Sequence, residues 1–394
     1  MTIEGTVAAG FEPVREEFER NFAERGELGA ACAIQVDGEF VVDLWGGYRD
    51  RAGTRPWQRD TLATVYSSTK GVTSMALAVA HSRGLFDYDA LVTKYWPEFG
   101  QAGKENVTVR QLLGFQAGLP TVDTPLTPEL LADADRLGEV LARQAPAWEP
   151  GTAQGYHPLV GGLYVSQLLR RVDPKGRLVG RYLAEELVVP LGVEFYIGTP
   201  PTLPDERIAE LVPAKPSLRD FTTAGGVPTR MLLEFMLPWT LTAKSFGNPK
   251  IRDITDLGRR PWRELDLPAG NGVGTARSLA ALYGEFATGG ARLGVDRATL
   301  RAIEADPVPL GTGSRDRVMH LADARFSLGF WKPFPAWRFG TDGRAYGTPG
   351  AGGSFGMADP ATRSGFGYVP NRLGRRLWND PREAALREAF QRCL

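Results

Sequence analysis

The sequence predicts an α+β fold: one antiparallel sheet assembled from both chain ends, flanked by helices, with a mostly helical region inserted. Strand signals near the N-terminus return only after residue 325. The stretch from about 85 to 290 reads instead as helices punctuated by Pro and Gly. No internal repeat or low-complexity tract divides the 394 residues, enough for one large domain or two intimately packed ones.

Residues 11–25 form an amphipathic helix, with Phe11, Val14, Phe18 and Phe22 at helical spacing. Two strands, 30–36 and 40–45, flank Asp37-Gly38, a strong two-residue hairpin turn. Residues 61–66 then lead into a helix that begins at Ser67 and ends near Gly84. Further helices are expected at 109–113, 137–144, 159–172 and 276–287. Between 213 and 270 lie long, Pro-interrupted connections carrying Phe235, Trp239, Phe246 and Trp262, the material of lids, pocket walls or plain surface packing. Short, aromatic, Gly-bounded strands follow at 326–331, 337–339, 354–358 and 365–369, and a helix over 381–393 closes the chain.

Composition removes several function classes. Lys plus Arg and Asp plus Glu both number 46, so no basic excess exists to grip nucleic acid regardless of sequence, and none favours a membrane surface. The first residues lack a basic stretch followed by an apolar one, and no window is long enough to span a bilayer, so the chain reads as cytoplasmic. Cys32 and Cys393 give neither a zinc spacing nor a disulfide framework, and Cys32, inside a strand-like run, reads as a buried small hydrophobe. His81, His157 and His320 are dispersed, and the glycines follow no phosphate-loop spacing. Neither metal nor cofactor is expected.

Ser67-Ser68-Thr69-Lys70 opens an apolar helical run. A spacing of three puts Ser67 and Lys70 on one helix face, where an amine can take a hydroxyl proton. Ser67 falls at the helix start, where backbone N–H groups are unpaired and the dipole favours negative charge. A lysine at its usual pKa of about 10.4 is no base, but burial against the apolar run would disfavour its charge. Tyr156, in a loop that feeds a helix, is the next candidate; beside a lysine ammonium its phenol pKa would fall and it could shuttle a proton. Tyr346–Ser354 is a Gly-rich strand able to expose N–H donors. Gly352-Gly353-Ser354-Phe355-Gly356 also fits the G-x-S-x-G nucleophile elbow, but that fold needs a histidine downstream and all three precede Ser354.

S-x-x-K, a downstream loop tyrosine and a late Gly-rich strand, in that order, resemble the serine β-lactamase and penicillin-binding-protein superfamily, and most closely its class C-like family VIII carboxylesterases. Tyr95-Trp96-Pro97-Glu98-Phe99, Ala117-Gly118-Leu119-Pro120 and Asn271-Gly272-Val273-Gly274-Thr275 are among the further matching segments. The resemblance implies a β-lactamase/DD-peptidase-like fold over 1–394, with an α/β part at about 1–65 and 290–394 and a helical part at about 66–289. It implies a serine hydrolase that cleaves carboxylic esters through an acyl-enzyme on Ser67, with Lys70 and Tyr156 as base and acid. Backbone N–H groups of Ser67 and Ala351 would form the oxyanion hole. Thr348, Pro349, Gly350, His157 and Gln116 would line the substrate pocket. Two departures bear on substrate. Thr348 stands where β-lactamases carry a carboxylate-gripping lysine, and His157-Pro158 replaces a serine-asparagine pair. Phe115-Gln116 likewise replaces a histidine-threonine pair. The expected partner is a small ester or acyl compound. An acyltransferase that passes the group to an alcohol or amine, or a β-lactam or D-amino-acid amide hydrolase, shares the first half-reaction. A non-catalytic scaffold is the reading from another class, and the intact Ser67, Lys70 and Tyr156 count against it.

Overall fold

The computed structural model describes residues 2–213, 228–311 and 313–394. Three strands come from the N-terminal end: β1 (Ile3–Val7), β2 (Gly29–Val36) and β3 (Glu39–Gly47). Three two-residue strands follow at β4 (Ala63–Thr64), β5 (Phe195–Tyr196) and β6 (Val273–Gly274). The C-terminal end supplies β7 (Phe326–Ser327), β8 (Phe330–Trp331), β9 (Tyr346–Pro349), β10 (Phe355–Asp359) and β11 (Ser364–Pro370). The main sheet has eight strands in the order β1-β3-β2-β11-β10-β9-β8-β7. The two chain ends meet at β2 and β11, antiparallel, with Cys32 opposite Tyr368 and Ala33 opposite Gly367. A smaller sheet, β4-β6-β5, lies within the helical region.

Side chains alternate across β11, and its two faces differ accordingly. Phe366 and Tyr368 join the Glu12–Glu24 and Pro381–Arg392 helices in one core, with Val14, Phe18, Leu386 and Phe390. On the opposite face Gly365 and Gly367 let the Ala276–Ala287 helix close in. A Cβ on Gly365 would stand 2.2 Å from Gly284 N, and one on Gly367 2.3 Å from Ala276 O. The Ser68–Ser82 helix runs through the interior, buried at every residue from Ser68 to Ala80, and packs against β9 at the sheet and Gly161–Val172 in the helical region. Small residues such as Gly71, Ala76, Ala78 and Ala80 permit neighbours on all sides.

Three expectations are corrected here. β1 was not anticipated: Ile3, Gly5 and Val7 alternate with polar residues on an edge strand, too short and polar a run to stand out. Residues 326–331 form two strands rather than one, because Leu328 and Gly329 turn the chain at positive φ. Residues 337–339 are not a strand; Trp337 forms one bridge to Phe334, and Trp337 and Phe339 instead pack their rings on Phe355.

Candidate active site

β4 delivers the chain to the site. Val65 N–H donates to Gly272 O at 2.8 Å, and Tyr66 then takes the left-handed φ of 47°, a conformation costing a non-glycine residue about 1–2 kcal/mol. That turn sets Ser67 at the N-cap of the Ser68–Ser82 helix. The Ser67 side chain makes no capping bond, so its hydroxyl stays available, and Ser67 is partly open to solvent.

Lys70 Nζ lies 3.1 Å from Ser67 Oγ. It also donates to Pro158 O at 2.7 Å and Ala269 O at 2.8 Å. Burial pushes its pKa well below the ordinary lysine value. The Tyr156 ring lies beneath the amine, 4.8 Å from centroid to Nζ, and its phenol hydrogen-bonds with Ser67. Tyr156 is held in two ways. Its N–H donates to the buried Asp316 carboxylate at 2.6 Å, and Phe115, Phe326 and Trp331 surround its ring. Burial pushes the phenol up, with only partial relief from the bond to Ser67. The expectation of a lowered phenol is therefore overturned: burial outweighs the hydrogen bonds that favour the phenolate, and the Asp316 carboxylate adds to the upward push.

The Gly-rich strand reaches the same place through Ser354. Its Oγ donates to Val65 O at 2.7 Å and accepts from Ser68 Oγ at 3.1 Å, stitching the β9–β10 turn to the residues on either side of Tyr66-Ser67. Gly350 is required there, because a Cβ would meet both Ser354 Oγ and Val65 O at 2.2 Å. Its N–H donates to Ser354 O at 2.8 Å. Ala351 next to it is partly open, and among the described residues neither its N–H nor that of Ser67 has an acceptor. Arg382 Nη2 donates to Gly352 O at 2.8 Å and steadies the turn from behind. The G-x-S-x-G match is thus a positioning element, and Ser354 is buried within it.

Three residues expected in the pocket lie elsewhere. Thr348 is fully buried with Oγ1 facing Gly71 and the Tyr283 phenol, because the pleat of β9 turns it toward the helices. His157 is buried with both ring nitrogens engaged: Nδ1–H donates to Gly155 O, and Leu119 N–H donates to Nε2 at 3.2 Å. Burial lowers its pKa to about 3, so it is a neutral pin between two loops. Gln116 is a buried joint, its backbone bonded to Gln111 and Gly151. Pro349 sits in β9, beside the β9–β10 turn. Sequence reasoning missed Asp316, which lies in a charged loop with no motif around it; Phe115, noted there as a departure from a histidine-threonine pair, packs on both Tyr156 and His157.

A helix-borne serine, a desolvated lysine and a buried tyrosine beside the β9–β10 turn define a serine hydrolase. Residues 15–389 match the beta-lactamase family, and the chain belongs to it. It is 34% identical over 371 residues to "Esterase/beta-lactamase LipL" of Mycobacterium tuberculosis, covering 94% of this chain and 83% of that protein. Among solved structures it is similar to a family VIII carboxylesterase, with TM-score 0.86 and 34% identity over 100% of both chains. A penicillin-binding-protein homologue from Caulobacter crescentus gives TM-score 0.84 and 35% identity, again over 100% of both chains.

Proposed function

We propose that the protein hydrolyses carboxylic esters through an acyl-enzyme on Ser67. The carrying observation is the set of partners around Lys70. A neutral amine has two N–H donors and one lone pair. Pro158 O and Ala269 O take the two donors, which turns the lone pair to the Ser67 hydroxyl. As Oγ attacks the ester carbonyl, its proton passes to Nζ. The carbonyl oxygen gains charge and is held by the N–H groups of Ser67 and Ala351, each such donor contributing on the order of 100- to 1,000-fold. Collapse breaks the bond to the alkoxide, and the Tyr156 phenol protonates it. The phenolate left behind is a strong base and recovers a proton from the Lys70 ammonium. Water then attacks the acyl-enzyme with the same groups in reverse.

The similarity to a family VIII carboxylesterase supports an ester as substrate. The test is p-nitrophenyl acetate or butyrate: a burst, an acyl adduct on Ser67 by intact mass, and loss of both in Ser67→Ala. Turnover by Ser67→Ala at the parent rate would sink the proposal. Added methanol that diverts most product to methyl ester would point to acyl transfer instead.

A further inference from the structure

Two short helices, Thr229–Phe235 and Leu241–Gly247, stand against the site with their rings Phe235 and Phe246 4.9 Å apart. They are fastened firmly. Met231 is fully buried in the same core cluster as Tyr156 and Phe115. Thr242 Oγ1 donates to Val318 O at 2.7 Å, Glu234 meets His320 at 2.9 Å, and Asn248 Nδ2 donates to Val122 O at 2.7 Å. Val318 is two residues from Asp316, which anchors Tyr156.

The outward side of this unit is unlike the rest of the surface. Leu232, Leu233, Phe235, Met236, Leu237 and Trp239 are all exposed, Met236 by 78% and Trp239 by 69%. Met231, with Leu241 and Phe246 partly buried beside it, supplies the inward packing, so the run from Leu232 to Trp239 exceeds what the core requires. Scattered surface apolar residues need no explanation, but a contiguous patch of this kind marks an interaction site. Its charge points to the partner. Arg252 faces Asp256 at 3.8 Å, which leaves Arg230, Lys244 and Lys250 over residues 228–251 against one acid, Glu234. That carboxylate is already engaged by Arg230, Thr242 and His320. Exposed Arg315 and Arg317 line a 580 Å³ cleft with Arg230 and extend the positive rim. The zero net charge of the whole chain conceals this local excess.

Apolar side chains with a tryptophan, rimmed by Lys and Arg, match an anionic lipid surface. A second copy is a poorer occupant, because a two-fold contact would press the same cationic rims together. No helix among the described residues is long and apolar enough to cross a membrane, so the contact would be with the surface layer. We propose that the Thr229–Gly247 unit docks on the surface of aggregated anionic lipid and brings lipid-borne esters to the adjacent site. The substrate part rests on the esterase reading; the docking does not.

Docking is therefore tested without catalysis. Ser67→Ala protein is sedimented with vesicles of equal parts phosphatidylcholine and phosphatidylglycerol, and with phosphatidylcholine alone. Pelleting with the anionic vesicles is expected, weaker on neutral ones and weakened by added salt. Met236→Ser with Trp239→Ser should reduce partitioning by roughly tenfold or more. The same pair of changes in otherwise unaltered enzyme should leave p-nitrophenyl acetate turnover intact, which shows the fold retained. Absence of pelleting, or pelleting indifferent to the two substitutions, overturns the proposal. So does a dimer in light scattering that the two substitutions dissolve, since a second copy would then cover the face.

Discussion

Lys70 and Lys104 are both buried lysines above an aromatic ring, and only one is placed to act as a base. Lys104 Nζ donates to three carbonyls, Gln101 O at 2.7 Å, Ala142 O at 3.0 Å and Gln144 O at 2.6 Å, with the Phe99 ring 5.3 Å away. Lys332 repeats the pattern on Ile303 O, Glu304 O and Arg344 O, above Tyr346. Burial lowers both to about 8, so both stay charged at neutral pH and fill all three donors. Lys70 has two carbonyls and a hydroxyl, and burial holds its pKa well below the ordinary lysine value. The third partner decides the role: a carbonyl can only accept, whereas a hydroxyl can give up its proton. Burial alone makes a clamp; burial with one donor-capable neighbour makes a base.

The sharpest way to break this contrast is to remove the amine. Lys70→Met should lower kcat/KM by on the order of 1,000-fold or more with the fold kept, measured on p-nitrophenyl butyrate beside circular dichroism. Lysine is useful only when neutral, so the rate of the parent is full above its depressed pKa. It falls about tenfold per unit as pH drops through that value. An acid limb set by any other group would not respond to Lys70, and a pH-rate profile that kept its shape on replacing Lys104 and Lys332 would confirm the assignment.

Tyr156→Phe should cost about 100-fold, since the ring packing survives and only the proton donor is lost. The alkaline limb of the parent should lie above the ordinary tyrosine range, because burial holds the phenol protonated. A profile in which Tyr156→Phe removes a limb near neutrality would make Tyr156 the base and return Lys70 to the class of Lys104.

The nearness of Ser67 and Lys70 was legible because spacing in a helix dictates which side chains share a face, whereas Tyr156, a loop residue, was singled out by order along the chain and by resemblance. The sheet built from both chain ends was legible for a similar reason, in its period and its turns. Thr348 was not. Whether it faces substrate or the Tyr283 phenol depends on the register of β9 against β10, set by Ser354 hundreds of residues from its partner Val65. His157 likewise sits beside Tyr156 in sequence, yet its ring turns away to Leu119. Asp316 left no trace, because a carboxylate that accepts backbone N–H groups needs no neighbouring motif.

A smaller effect is expected at the β9–β10 turn, where the oxyanion is proposed to bind. Arg382 reaches Gly352 O while its other donors hold Asp380, Glu27 and Arg372 O. Arg382→Lys keeps a charge but cannot serve these acceptors at once. A displaced Ala351 N–H should then lower kcat by roughly tenfold with KM little changed. An equal fall in Tm without a kcat change would mark Arg382 as structural only.

The smallest effect on rate belongs to Lys104→Met, and it bears most directly on the comparison. Its Nζ touches neither Ser67 nor Tyr156, and its acceptors belong to the loops at 101, 142 and 144. Removing it strands those carbonyls, which costs about 2 kcal/mol and should lower the urea midpoint. Turnover of p-nitrophenyl acetate below the transition should stay within about twofold. Three carbonyls with no exchangeable hydrogen give the amine nothing to deprotonate. A large loss of rate without a loss of stability would show that carbonyl-clamped burial is not what separates a structural lysine from a catalytic one.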